Sequence, residues 1–162
     1  MKWLFIFLGI LVLLILIVLI IGWSLPVKHT ASVSKEFSVS GKRIWNLITQ
    51  FDQYKTWRTG LKELVVNDQS WTETDKHNQS MTFEVVVSEA NQRFQSRITN
   101  DNLPFGGSWT YVLKEENGKT TLTITENGEI YNPVFRFVSK FLLGYTATMN
   151  AYMKDLENAV NK

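Results

Sequence analysis

The chain opens on an unbroken apolar run and then changes character. Residues Trp3 to Trp23 read WLFIFLGILVLLILIVLIIGW, without a charged side chain. A helix of roughly 20 such residues matches a hydrocarbon core about 30 Å thick, and a Trp at each end suits the headgroup belt. The run outlasts the roughly 7–15 residues of a signal-peptide core, and no A-x-A-like site follows, which favours an uncleaved anchor over a cleaved signal. Pro26 stops the helix. The pattern divides the chain into an anchor at residues 1–24, a linker at 25–30 and a folded domain at 31–162.

Beyond the linker the hydrophobic period falls to two. Ala31, Val33, Phe37 and Val39 share one face of an expected strand, with Lys35 the exception. Ser40 stands at an N-cap position, and Ile44, Trp45, Leu47, Ile48 and Phe51 follow at helical spacing. A short second helix is expected over Gln53–Trp57, ending near Gly60. Strands are then expected at Leu61–Val66 and Ser70–Thr74, and in the alternating runs through Met81, Phe83, Val85 and Val87, through Phe94, Ser96 and Ile98, and through Trp109, Tyr111 and Leu113. Leu122, Ile124 and Ile130 face away from Thr121, Thr123 and Thr125 on a last strand. Asn117-Gly118 predicts a type I′ hairpin turn, Leu103–Gly107 a connection, and Asn127-Gly128 a bulge.

The chain closes with Asn132 as a cap, Pro133 at a first helical position, and a stripe through Val134, Val138, Phe141, Tyr145, Met149, Tyr152, Leu156 and Val160. That stripe predicts one continuous amphipathic helix. Its first half, with Phe135, Phe137, Leu142 and Leu143 added, is apolar nearly all round, which fits either burial beneath the sheet or a mouth dipping into the membrane interface. One strand, two helices, about six strands and a final helix predict an α+β fold in which a curved antiparallel sheet wraps a long C-terminal helix.

In Phe37-Ser-Val39, Ile44-Trp45-Asn-Leu-Ile48, Phe51-Asp52, Tyr54-Lys-Thr-Trp57 and Gly118-Lys-Thr-Thr121, and in its terminal amphipathic helix, the chain resembles the SRPBCC superfamily of START/Bet v 1-like, helix-grip proteins. The polyketide cyclase/dehydrase and lipid-transport branch is the most similar, and Leu25-Pro26 after an N-terminal span fits it as well. The resemblance covers about residues 29–160. Two departures stand out: Ser40-Gly41-Lys42 where the family often has Pro before its first helix, and Arg58-Thr59-Gly60 where Asn and Pro commonly follow the Trp. The resemblance implies a cavity for apolar ligands between sheet and helix, and no universal catalytic residues.

Charge and composition narrow the partners. The net charge is +2, or +1 without Lys2, and no basic stripe carries interleaved aromatics, so nucleic acid is not an expected partner. The absence of cysteine removes disulfides, thiolate metal sites and Cys nucleophiles. Lys28, Lys35, Lys42 and Arg43 after the span outnumber Lys2 before it, which leans the domain to the cytoplasmic side of a cell membrane. Because a lone leading charge can also hold the N-terminus inside, sidedness stays open.

The alternation turns Met81, Phe83, Phe94, Trp109 and Tyr111 inward, and Tyr145, Met149 and Tyr152 face them from the terminal helix. Aromatic and Met linings suit a flat or flexible apolar ligand, such as a lipid; the same side chains also make an ordinary core. Glu126 shares the inward parity of Leu122 and Ile124 and is the sharpest candidate for an acid or base, unless a bulge at Gly128 flips it. Ser96 points inward too, whereas Arg93 and Arg97 point out. His29 adjoins the linker and is expected at the headgroups; His77 lies in a polar turn. Neither has a companion at metal-ligand spacing, and no glycine-rich phosphate loop or G-x-S-x-G occurs, so no metal or cofactor is expected. The first expectation is a membrane-anchored module binding or transporting a hydrophobic small molecule or lipid. The alternatives are a cyclase- or aromatase-like enzyme using Glu126, Tyr111 or Tyr145, and a partner-binding, cochaperone-like domain.

Overall fold

Alternation along the first strand sets the geometry of the domain. In β1 (Lys28–Phe37), His29, Ala31, Val33, Lys35 and Phe37 turn to the covered side, while the residues between them are exposed. The computed structural model describes residues 2–161. β1 is followed by β2 (Leu61–Val66), β3 (Ser70–Asp75), β4 (Ser80–Glu89), β5 (Arg93–Ile98), β6 (Phe105–Glu116) and β7 (Lys119–Ile130). They form one seven-stranded antiparallel sheet in the order β1-β7-β6-β5-β4-β3-β2. The first two strands are therefore the two edges. The chain passes between them through α2 (Gly41–Thr49), a 3₁₀ turn (Phe51–Gln53) and α3 (Tyr54–Trp57).

α5 (Ala147–Val160) lies on the inward face. Its Met149, Tyr152, Met153, Leu156 and Val160 are buried in one core with Phe37, Leu113, Leu122 and Ile124 from the sheet and Ile44 and Ile48 from α2. Periodicities of 2 and 3.6 thus meet in one apolar layer, the expected helix-grip arrangement. Lys35, the odd residue on the inward side of β1, reaches Glu157 of α5 with its ammonium at 2.5 Å.

Several local expectations hold. Asn117 and Gly118 have φ of 52° and 75°, as a type I′ turn needs. Asn132 caps the helix that follows it, its side-chain oxygen accepting from the Val134 and Phe135 amides at 2.9 and 3.1 Å. Ser40 occupies its N-cap position, but its side chain makes no capping bond. Glu115 of β6 supplies the acceptor instead, taking the Gly41 N–H at 2.8 Å, so a carboxylate meets the positive end of α2.

Others are corrected. β1 begins at Lys28 rather than Ala31. Phe105, Gly106 and Gly107 are not a connection but the start of β6, paired with Ile130, Glu129 and Gly128. No bulge occurs at Asn127-Gly128, because both residues keep register with β1 and with β6. The glycines instead allow close approach: Gly107 has φ +125°, and a Cβ there would overlap the Asn127 carbonyl. The register shifts lie at Leu61/Glu63 and at Val85/Val87.

The largest correction concerns the C-terminal stripe, which is not one helix. α4 (Pro133–Val138) runs into a π-helical turn (Ser139–Leu143). Gly144 at φ +75° then breaks the path, and α5 starts at Ala147. A left-handed residue cannot continue a right-handed helix. Beyond the break the stripe is buried; before it, Phe135, Phe141, Leu142 and Leu143 are 47%, 54%, 71% and 66% exposed. The apolar start of the stripe is therefore not covered by the sheet.

α1 (Lys2–Ser24) is long and apolar enough to cross a membrane, and almost all of it is exposed. Only its C-terminal end is covered, and α4 packs there. Gly22 lies against Pro133, whose carbonyl a Cβ on Gly22 would strike. Arg136 is buried and donates from Nη1 to the Leu25 carbonyl at 2.6 Å.

Replacing Gly107 by Ala is expected to cost about 1–3 kcal/mol from its backbone conformation alone, with the overlap on Asn127 adding to it. Gly60→Ala, at a position with open space around it, is the near-neutral control. Chemical denaturation of both variants checks this.

Candidate functional site

The inward face of the sheet is a continuous aromatic surface. Alternation puts Trp71 of β3, Phe83 of β4, Phe94 of β5, and Trp109 and Tyr111 of β6 on it. Trp71 stacks on Phe83 at 5.2 Å between centroids, and Phe94 meets Tyr111 at 5.5 Å. From α5, Tyr152 contacts Trp109 and Tyr111 at 5.8 and 5.7 Å, and Trp57 of α3 at 5.3 Å. Such pairs add about 0.5–1.5 kcal/mol each beyond burial.

Of the eight expected lining residues, Phe94, Trp109, Tyr111 and Tyr152 come together through these ring contacts. Met149 is wholly buried in the same core, and Phe83 joins it through Trp71. Met81 is half-buried on β4 opposite Glu73. Tyr145 is not on α5; it sits in the break after Gly144.

Two polar clusters interrupt this surface. The first is the pair Arg58–Glu73, with Arg58 Nη1 donating to Glu73 Oε1 at 2.7 Å. The Glu73 side chain is only 3% exposed and that of Arg58 19%. Glu73 also accepts the Trp71 indole N–H at 2.9 Å. The Arg58 guanidinium lies 5.0 Å from the Tyr152 ring centre and 5.5 Å from that of Tyr54, a cation–π arrangement. Burial, the largest single influence, would lower the Arg58 pKa, but the Glu73 carboxylate together with the Tyr152, Tyr54 and Tyr111 phenols outweighs it and the net shift is upward.

Sequence reasoning missed this pair. Arg58 stood out only as a departure from the family pattern after the Trp, and Glu73 was not singled out; its place two residues from Trp71 on the expected Ser70–Thr74 strand is the signal that could have marked it as inward. Beside them, the Tyr54 hydroxyl donates to the Ile48 carbonyl at 2.7 Å. Tyr152 Oη and Trp57 Nε1 are buried without a well-formed hydrogen bond among the described residues.

The second cluster lies where β1 leaves the tether. Glu126 points inward, as its parity predicts, and accepts the Trp109 indole N–H at 3.0 Å. His29 turns inward beside it: its side chain is 9% exposed, with Nε2 3.3 Å from Glu126 Oε1. Its ring stacks on Tyr145 at 4.0 Å. Gly128 makes room for that ring, which any Cβ there would strike. A carboxylate and an imidazole in contact can hold or pass a proton. Ser96 is buried, Arg97 pairs with Glu84 on the outer face, and His77 stays in its exposed turn. An open depression of about 610 Å³ at this end of the sheet is lined by polar side chains such as Lys28, Arg97, Asp101 and Glu129, and by none of the eight expected residues.

Comparison with known proteins places this geometry. A sequence-family profile described as polyketide cyclase / dehydrase and lipid transport matches residues 28–160. No curated protein matches the chain. Among solved structures, a START superfamily protein from Mycobacterium smegmatis is similar at 17% identity and a TM-score of 0.65, covering 82% of this chain and 97% of its own. A conserved protein from Geobacillus kaustophilus is similar at 14% identity and a TM-score of 0.69, covering 82% and 95%. Norcoclaurine synthase from Thalictrum flavum has 10% identity and a TM-score of 0.67, covering 88% and 91%. At these identities the likeness establishes the shared fold.

Two outcomes follow from the buried cluster. Glu73→Ala leaves Arg58 buried without its partner and is expected to cost about 3–5 kcal/mol, while the double change Arg58→Met with Glu73→Met recovers most of that loss; urea unfolding measures both. Burial also raises the phenol of Tyr152 from 10.0 to about 12, and raises those of Tyr54 and Tyr111 well above 10.0. Below pH 10 these phenols are neutral in folded and unfolded chains alike and leave stability unchanged. Between pH 10 and about 12 the unfolded chain releases protons that the folded chain keeps, so stability falls as pH rises, by about 1.4 kcal/mol per pH unit for each tyrosine. An ultraviolet phenolate titration is expected to release these three groups together with unfolding.

Proposed function

The chain belongs to the polyketide cyclase / dehydrase and lipid transport family, and from that membership we propose that it is a membrane-anchored binder of an apolar small molecule or lipid. The observation that carries the reading is the length of the tether. Only Leu25–Val27 separate the end of α1 from the start of β1, a reach of roughly 14 Å even when extended. With α1 in a bilayer, the end of the inward face bearing His29, Glu126, Trp109 and Tyr145 stands next to the lipid. A molecule leaving the membrane there meets aromatic surface continuously, from Trp109 through Tyr152 and Tyr111 to Phe94.

The polar groups in that surface suit the functional head of such a ligand. Trp57 Nε1 is buried without a hydrogen bond, and the Tyr152 hydroxyl has the Tyr54 and Tyr111 phenols beside it but no well-aligned bond to either; an unmet buried polar group costs about 1–3 kcal/mol. A ligand hydroxyl or carbonyl beside them would relieve that cost while its apolar body lies on the rings. Lipids, isoprenoids and quinones all have this construction.

Proton transfer to a bound ligand is a second reading, favoured by the contact between His29 and Glu126. The two readings separate on what comes back: an enzyme returns a product that chromatography distinguishes from its ligand, an isomer of equal mass included, and loses that ability in Glu126→Gln, whereas a carrier returns the ligand unchanged.

The full chain, purified in mild detergent and examined by native mass spectrometry, is expected to carry a near-stoichiometric apolar molecule that extraction identifies, and Tyr152→Phe to retain less of it. A clean unliganded mass, unchanged after incubation with membrane extract, would contradict the binding reading.

A further inference from the structure

The apolar segment before Gly144 is unpaired by the rest of the domain. Phe135, Phe141, Leu142 and Leu143 expose about half or more of their surface, and Val134 37%. The exposure is continuous at the end of the segment, where residues 140–144 are all exposed, so apolar side chains project on several sides of the turn rather than packing back on the domain. Patches of this kind on a folded domain mark interaction sites.

Its position identifies the occupant. α4 packs against the end of α1, with Pro133 on Gly22, and Arg136 fastens it to the Leu25 carbonyl. Partial cover on α1 reaches back to Val18, inside the apolar run. From Val18 to Gly22 the helix rises about 6 Å, comparable to the roughly 5–10 Å that an in-plane helix sinks below the headgroups. Residues 133–143, PVFRFVSKFLL, contain no acidic side chain. Lys140 is exposed, its ammonium 5.8 Å from the Phe141 ring centre, placed to reach up to lipid phosphate while the ring stays below.

We infer that α4 and the π-helical turn, residues 133–143, lie in the membrane interface beside α1, with Phe135, Phe141, Leu142 and Leu143 in contact with lipid. This rests on the reading of α1 as a span. It gives the domain a second, non-covalent attachment to the bilayer. It also places the connection through Gly144 to Tyr145, and so the His29 stack, at the lipid surface.

The chain has no cysteine, so single replacements report one site each. Leu142→Cys, Ile15→Cys in α1 and Val65→Cys on the exposed face of β2 are made in the full chain, labelled with an environment-sensitive fluorophore and reconstituted into phosphatidylcholine–phosphatidylglycerol vesicles. Lipids carrying nitroxides on their acyl chains then serve as quenchers. Loss of most of the emission at both Leu142 and Ile15, with Val65 unaffected, is the expected result. Quenching at Ile15 but not at Leu142 overturns the inference and leaves the anchor standing. Leu142→Cys cross-linking between copies in that case would assign the patch to self-association. An unquenched Ile15 overturns the anchor reading and the inference with it.

Discussion

Gly22 and Pro133 meet without a side chain between them, and the placement of the whole domain relative to α1 follows from that contact. A three-residue tether alone limits how far the domain can move from the end of α1, but not how it is turned. The close approach of α4, allowed by the missing Cβ at Gly22 and held by Arg136 on the Leu25 carbonyl, supplies the orientation. β1 then carries His29 to the inward face just beyond the tether, and β7 brings Glu126 beside it. The end of the sheet nearest α1 is therefore the one where the helical cover is interrupted, at Gly144–Thr146.

The interior away from that end obeys a different constraint. An aromatic surface is adaptable, because its contacts depend on area and ring geometry more than on a single fit. The buried Arg58–Glu73 pair makes it directional. A desolvated ion pair contributes little net stability compared with well-packed apolar residues, yet each member is costly to leave alone. Such a pair fixes the positions of Trp71, Tyr54 and Tyr152 around it, through the indole hydrogen bond to Glu73 and the guanidinium over two rings.

Much of this was legible in the sequence, for physical reasons. Period-two alternation marks a strand that buries one face, so the inward positions of Phe94, Tyr111 and Glu126 could be read directly. Asn117-Gly118 announced its turn because few residues tolerate two successive positive φ values. The helix break was illegible because the apolar stripe continues across Gly144 at helical spacing, and hydrophobic periodicity carries no information about φ. Arg58 and Glu73 were hidden because a charge at an inward position reads as a departure from the pattern until its partner is seen across the fold. The inward turn of His29 was illegible because adjacency to the linker says nothing about which way a strand turns its side chain, and the room for its ring comes from Gly128, 99 positions away.

The claim at the centre of this account is that a molecule from the bilayer reaches the inward aromatic face. Photo-cross-linking tests it most directly: the full chain in vesicles containing a lipid with a diazirine on its acyl chain, illuminated, digested and mapped by mass spectrometry. The account predicts adducts on inward residues such as Trp109, Met149 and Tyr152 in addition to those on α1. Adducts confined to α1 and residues 133–143, with the inward face unlabelled, would contradict it.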